Sequence, residues 1–203
     1  MNTSDDENEN LGRPAVARYS GKFAGVVTDN GPPSSGAHRG QVTANVPGIL
    51  EETPDGSGSQ PLKVFAAPAL PPGFFFTPEV GDTIWVEFVN GDINFPIWTG
   101  VWYAADASPQ TADDAAPTKD QKIIRTKSGF VLQFDDTSGG EKLVIKDKTN
   151  QTTITLDSNG VTVAANNGVT ISCGQCSFTL SSSQIQLKGA GATLTVSSSV
   201  DVS

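Results

Sequence analysis

Apolar and polar residues alternate along much of this chain, in short runs that glycine and proline interrupt. The clearest run is "TIWVEFVNGD", in which Ile84, Val86 and Phe88 recur at every second position before an Asn-Gly pair. A period of two is the pattern of a strand with one buried face, and Asn-Gly is a strong signal for a hairpin turn. No window has the 3.6-residue period of an amphipathic helix. The pattern therefore predicts an all-β protein.

Residues 15–103 contain five such runs and form the first predicted domain. The runs are "YSGKFAGVVT" (19–28), "QVTANVPGI" (41–49), "LKVFAAPAL" (62–70), "TIWVEFVNGD" (83–92) and "NFPIWTGVWY" (94–103). Loops rich in glycine, proline and serine separate the first three runs, as turn formers do. Five short strands with two long loops fit a small Greek-key barrel of the OB type.

The composition changes after this domain. Residues 104–119 begin "AADASPQTADDAAP", with almost no apolar anchor, which predicts a linker. Residues 120–203 are repetitive instead, because apolar pairs at i and i+2 recur with Gly, Asn or Ser between them. The pairs predicted to point inward are Ile154/Leu156, Val161/Val163, Val169/Ile171, Phe178/Leu180, Ile185/Leu187 and Leu194/Val196.

Each repeat offers about two inward side chains, which are too few to bury a core alone. Strands this narrow suit a thin prism or solenoid, in which neighbouring layers or chains supply the missing core. A single-chain β-sandwich is the alternative, although a typical sandwich strand brings a wider, aromatic or leucine-rich face.

The charge balance limits the classes of partner. The chain has a formal net charge of −9, and charged residues make up 17% of it. An acidic excess argues against binding to nucleic acid, which requires a basic surface. No stretch approaches the ~20 apolar residues of a membrane-spanning helix. Segment 1–14 is acidic, lacks the apolar region of a secretory signal, and is interpreted as a flexible arm of a protein made in the cytoplasm without a signal peptide.

Groups that could carry catalysis are few. The candidates are Glu51/Glu52 with Asp55 in a Gly/Pro/Ser loop, Asp113/Asp114 in the linker and Asp135/Asp136 beside a turn. Solvated charges are expected at such places rather than acid–base catalysis. His38 is the single histidine and lies in a Gly/Ser loop, where a solvated side chain is expected rather than a metal ligand. These observations predict a protein that is not an enzyme and that has no cofactor.

Cys173 and Cys176 form one C-x-x-C pair, which is half of a four-thiolate metal site. We interpret the pair as structural, small and at least half-buried, and predict no metal. In an unbroken strand the two side chains would lie on different faces, unless Gly174 bulges the chain.

Phe74, Phe75 and Phe76 stand together just before a Gly-Asp turn. Successive residues of a strand point to opposite faces, so three consecutive rings cannot all enter one core. At least one ring must therefore pack elsewhere.

Several motifs together resemble one known family. They are the aromatic run Phe74–Phe76, Pro78–Asp82, Gly91-Asp92, Pro96, Gly100 and Tyr103, with "GQVTANVPGI" (40–49) upstream and "IIRTKSGFVLQFDD" (123–136) opening the repetitive region. As a set they resemble the baseplate-assembly V and spike (VgrG-like) proteins of contractile injection systems. The family strand has the form Gly-x-Val-x-Val-x-Val-Pro-Gly, from which Thr43-Ala44-Asn45 depart.

The resemblance implies a homotrimer. Three OB barrels would surround an axis, and residues 120–203 of three chains would wind into an intertwined, triple-stranded β-helix prism whose core the apolar pairs form. One or two rings of Phe74–Phe76 would fill the barrel, and another would reach a neighbouring subunit or a hub protein. A PAAR-type tip protein would cover the C-terminal end at Val200, Val202 and Ser203, since no histidine follows His38 to close the apex with a metal.

The implied function is that of a central spike in a contractile tail baseplate. It would be a rigid needle that connects the hub to the tip and transiently pierces the host outer membrane, located in the virion or an equivalent injection particle. No lysozyme domain separates barrel from prism. The alternative is a carbohydrate-binding adhesin or an OB-type binding module of a tail fibre. Whether the machine is a phage, a type VI secretion system or an extracellular injector stays open.

Overall fold

The computed structural model describes residues 19–31, 40–104 and 107–197, and the chain divides into two compact units after Ala104. The first unit contains β1 (Phe23–Asp29), β2 (Val42–Glu52), β3 (Ser59–Pro68), β4 (Thr83–Phe88) and β5 (Pro96–Val101), with a short 3-10 turn at Val89–Gly91. The second contains β6 (Gln121–Arg125), β7 (Phe130–Asp135), β8 (Lys142–Asp147), β9 (Thr152–Asp157), β10 (Gly160–Ala164), β11 (Val169–Cys173), β12 (Cys176–Leu180), β13 (Ile185–Lys188) and β14 (Thr193–Val196). The predicted all-β class is confirmed.

The five strands of the first unit close into a barrel in the order β1-β2-β3-β5-β4. Neighbours are antiparallel except β3 and β5, which pair in parallel at two positions. The register of β2 against β3 skips from Val46 to Leu50, where Pro47 has no N–H to donate to a ladder. The predicted five-stranded barrel is thus confirmed, and its closure is consistent with the OB fold.

Alternating residues fill the barrel, as the pattern predicted. Ile84, Val86 and Phe88 are buried, and Trp98 donates its indole N–H to the carbonyl of Gly40 over 3.0 Å. The remaining core residues are Val27, Val42, Ala44, Val46, Ile49, Leu62, Val64 and Ala66. Gly25 lies among them, where a Cβ atom would meet Val86 Cγ2 at 3.0 Å.

The second unit consists of two antiparallel sheets in which each strand pairs with its neighbour in sequence. The five-stranded sheet has the order β10-β9-β8-β7-β6, and the four-stranded sheet has the order β11-β12-β13-β14. The buried cluster of this unit is small: Ala112, Val131 and Val144, with Ile123 packed against them.

Three parts of the sequence prediction lie outside the described residues. They are the acidic arm 1–14, His38 and the stretch 198–203, which holds the tip-docking residues Val200, Val202 and Ser203. The limits of the predicted domains stay predictions, as does the prism.

Candidate assembly surfaces

One face of the five-stranded sheet is apolar and open to solvent. Cross-strand partners share a face, and the registers put one parity of all five strands on this side. We call it the five-strand apolar face; its residues are Ile124, Phe130, Leu132, Phe134, Leu143, Ile145, Ile154, Leu156, Val161 and Val163. Polar residues join it at its margins, namely Lys122, Asp147 and Thr152. Val161 retains 68% of its accessible surface and Phe130 51%, so in the single chain this face is uncovered.

The four-stranded sheet repeats this division. Its apolar face carries Val169, Ile171, Cys173, Cys176, Phe178, Leu180, Ile185, Leu187, Leu194 and Val196. Its other face carries Thr170, Ser172, Ser177, Thr179, Gln186, Lys188, Thr193 and Thr195. Ile171 is 65% exposed and Leu194 58% exposed, so this four-strand apolar face is also uncovered.

The predicted inward residues therefore fall on these two apolar faces. Ile154, Leu156, Val161 and Val163 lie on the first face, and the other predicted pairs lie on the second. The prediction that they form a trimer core stays a prediction. The structure adds residues outside the predicted pairs, such as Ile124, Leu132 and Ile145, which the strand registers bring to the first face.

The opposite face of the five-stranded sheet is covered by part of the predicted linker. We call residues 110–115 the strap. Ala112 is buried against Val131 and Val144. Its N–H donates to Gln133 Oε1 over 2.8 Å, and its carbonyl accepts from Lys146 Nζ over 2.7 Å. The backbone of the strap is thus bonded to side chains of β7 and β8.

An acidic residue holds the end of the strap. Asp114 adopts a left-handed conformation with φ of 60°. Its carboxylate accepts from Lys148 Nζ and Arg125 Nη2, each over 2.8 Å. The bond from Lys148, followed by that from Arg125, lowers the pKa of Asp114. The strap therefore covers the side of the sheet opposite the five-strand apolar face and leaves that face free.

Asp135 is buried at the end of β7, so the prediction of a solvated carboxylate was wrong for this residue. Thr137 Oγ1 donates to it over 2.6 Å and Gln121 Nε2 over 2.8 Å. The bond from Thr137, with that from Gln121, lowers its pKa to about 2. A carboxylate held ionised by three neighbours, the third being Gln133 Nε2 at 3.4 Å, has a structural role.

Phe74, Phe75 and Phe76 form an exposed aromatic patch on the first unit. They are 55%, 67% and 50% exposed, and the rings of Phe74 and Phe76 lie 6.0 Å apart. The expectation that one or two rings fill the barrel was wrong. The segment is a loop rather than a strand, entered by a turn in which the N–H of Phe74 bonds the carbonyl of Pro71 over 3.1 Å.

The two cysteines lie on the same face, not on different faces as an unbroken strand would require. β11 ends at Cys173, Gly174 and Gln175 form a turn, and Cys176 begins β12 as the direct cross-strand partner of Cys173. Both residues are exposed free cysteines rather than buried ones.

The parts of the chain that the structure describes offer neither a metal site nor a membrane-spanning helix. Within these parts, no group of three or more His, Cys, Asp or Glu side chains is placed to hold a metal ion. No helix there has the length and apolar character needed to cross a membrane.

A known family matches the barrel. Residues 23–103 match the type VI secretion system/phage-baseplate injector OB domain. The actin cross-linking toxin VgrG1 of Vibrio cholerae serotype O1 is 34% identical over 79 residues, which cover 36% of this chain and 7% of that protein. The barrel is therefore an injector OB domain, and the resemblance to VgrG-like baseplate spike proteins is confirmed. The family indicates a baseplate location for this component.

The match ends at Tyr103, and the chain spans a small part of the length of the relative. The cross-linking of actin is a property of that toxin. The family match therefore assigns no function to the second unit.

Proposed function

We propose that this protein is the central spike of a contractile tail baseplate or related injector. In this proposal three copies form a rigid needle between a hub protein and a separate tip protein. The observation that carries the proposal is the pair of uncovered apolar faces in the second unit, attached to a chain whose barrel is an injector OB domain.

The occupant of the apolar faces is, in the proposal, the same face of two further copies. Contiguous exposed apolar surface of this extent marks an interaction site in a soluble protein. The opposite faces support this choice, because neither offers a second exposed apolar surface. One is covered by the strap, and the other carries only polar side chains. A sheet with one apolar side then forms one wall of a three-sided prism, with its apolar side toward the axis.

The open sheet edges support the same assembly. β6 and β10 bound the five-stranded sheet, and β11 and β14 bound the four-stranded sheet. An edge strand presents unpaired N–H and C=O groups that pair readily with another chain. In a closed prism the edges of neighbouring copies meet, and the backbone bonds between chains would distribute an axial load. This stiffness is what piercing a host outer membrane requires.

The ends of the spike are assigned to two partners. The aromatic patch Phe74–Phe76 would contact the hub or a neighbouring subunit, since its three rings are at least half exposed. The PAAR-type tip protein would dock at Val200, Val202 and Ser203. The proposal involves no catalysis, metal, cofactor or nucleic acid.

The second candidate is a carbohydrate-binding adhesin or tail-fibre module. A groove of about 750 Å³ on the barrel, lined in part by Tyr19, Leu50 and Ile93, favours it, since OB folds bind oligosaccharides on such surfaces. The spike is preferred because a groove binder leaves both apolar faces of the second unit without a role.

Co-purification tests the spike. Full-length chains carrying two different tags, co-expressed, should co-purify with each other, and antibodies against either tag should label the baseplate end of purified injection particles. Deleting residues 198–203 should leave the co-purification intact and remove the tip protein from the particles. Absence of co-purification, together with saturable binding of a glycan to the barrel, would replace the spike by the adhesin.

A further inference from the structure

The hairpin that joins β11 and β12 brings two thiols together within one chain. Cys173 and Cys176 are direct cross-strand partners on either side of Gly174 and Gln175. Gly174 has φ of 57°, and glycine at the first position of a two-residue turn is the choice for type II′ hairpins. Two such turn residues put the flanking positions on one face, which is why the pair lies together.

The spacing of a cross-strand pair suits a disulfide. Directly opposite residues in an antiparallel pair have Cα atoms roughly 4.5–5.5 Å apart, and disulfides span Cα distances of about 4.4–6.8 Å. The thiols also line an open apolar depression of about 480 Å³ with Ile171, Phe178 and Leu187. In the single chain a small oxidant therefore has access to both sulfur atoms.

We propose that Cys173 and Cys176 form an intrachain disulfide when the protein meets a small-molecule disulfide such as oxidised glutathione. One cysteine, as its thiolate, attacks a glutathione sulfur, which forms a mixed disulfide and releases one glutathione thiolate. The second cysteine thiolate attacks the protein sulfur of that mixed disulfide and releases the other. The two protein thiols lose two electrons to the glutathione disulfide, and their two protons pass to the released thiolates.

A disulfide fits this position better than a metal ion. The described residues place no third or fourth ligand near the pair, whereas zinc sites of this type require four. The neighbours on the face are apolar, and a disulfide is uncharged while two metal-bound thiolates are not. The bond would fasten the hairpin at its turn and fix the register in which Ile171 faces Phe178.

The full-length chain carrying Val163→Asp, treated with oxidised glutathione and then quenched with acid and an alkylating agent, tests the proposal. Free thiols should fall from two per chain to none, and the mass should decrease by two hydrogen atoms with no glutathione attached. The chain should migrate as a single chain on a non-reducing denaturing gel, and a reducing agent should restore both thiols. A glutathione adduct that persists on both cysteines, a cross-link between chains, or no reaction would each overturn the proposal.

A matched variant tests whether the hairpin register, rather than closeness in sequence, governs formation of the disulfide. In Cys176→Ser combined with Ser177→Cys, the second thiol moves to the polar face, where residue 177 pairs with Ser172. This variant should keep glutathione adducts instead of closing. Closure as fast as in the parent chain would show that the hairpin register does not govern the reaction, and the proposal would fail. The proposed trimer would bury this face, so Val163→Asp, which should keep the chain single, makes the test independent of the trimer.

Discussion

Replacing Val163 by Asp should prevent self-association, and replacing its neighbour Thr162 by Asp should not. Both residues lie in β10 and are exposed in the single chain, but Val163 belongs to the five-strand apolar face while Thr162 points to the opposite side. Neither change removes a buried side chain, so each single chain should fold. The comparison therefore isolates the face on which the charge is placed.

The size of the effect follows from burial. Val163 retains 46% of its accessible surface in the single chain. Covering the remainder on assembly is worth about 1 kcal/mol per chain, as about half of a full valine burial. An aspartate at the same place instead buries an unpaired carboxylate, which costs several kcal/mol per chain. For three copies together, the free energy of association becomes less favourable by more than about 10 kcal/mol, which lowers the association constant by about seven powers of ten.

The assay is size-exclusion chromatography with light scattering at micromolar concentration. The parent chain and Thr162→Asp should both give three times the chain mass of 21.1 kDa, and Val163→Asp should give 21.1 kDa. Circular dichroism should show the same strand content in all three proteins. Equal masses for the two variants would refute the reasoning, because the apolar face would then not be the contact surface.

Three further predictions concern single residues. Gly25→Ala should destabilise the barrel by about 1–3 kcal/mol in urea unfolding, because its Cβ would lie 3.0 Å from Val86 Cγ2. The control Gly58→Ala, whose Cβ would have nothing within 4 Å, should change stability by less than about 0.5 kcal/mol. Equal losses in the two variants would contradict the packing around Gly25. Phe75→Ser should also stay within about 0.5 kcal/mol, because the ring is 67% exposed, and a loss above about 2 kcal/mol would place the ring in a core. The pKa of Asp135 is lowered from 3.8 to about 2 in the folded chain, so its contribution to stability is present above pH 3.8 and is lost as the pH falls toward about 2. Asp135→Asn should therefore be less stable at neutral pH and lose less stability over that acid range. Identical dependence of stability on pH in the two proteins would count against the contacts of Asp135.

The barrel could be predicted from the sequence because its strands alternate cleanly. Ile84, Val86 and Phe88 recur at every second position, and each is buried. The aromatic run could not be placed in the same way, since alternation has no meaning in a loop. Pro71, Pro72 and Gly73, which precede the rings, are the signal of that loop.

The strap could not be predicted because its contacts leave no periodic pattern. Its buried residues are Thr111 and Ala112, and the backbone of Ala112 bonds to Gln133 and Lys146, more than twenty residues away in sequence. A stretch of Ala, Asp and Pro therefore has the composition of a linker while it contacts the sheet.

The position of the two cysteines on one face is predictable from the Gly174-Gln175 pair between them. Treating residues 173–176 as one continuous strand placed the two side chains on opposite faces. Gly-Gln between two apolar runs also fits a two-residue hairpin turn with glycine first, and such a turn brings the flanking residues to one face. The apolar faces themselves were half predictable, because the repeat gave the residues of β9–β14 and not those of β6–β8.

The central claim, that three copies of this chain form one spike, is tested most directly by the mass of the intact protein in solution. Native mass spectrometry of the full-length chain, from micromolar to nanomolar concentration, should give a single species of three times 21.1 kDa that persists on dilution. A chain of 21.1 kDa throughout that range would contradict the account, because the apolar faces of the second unit would then remain exposed in a stable monomer.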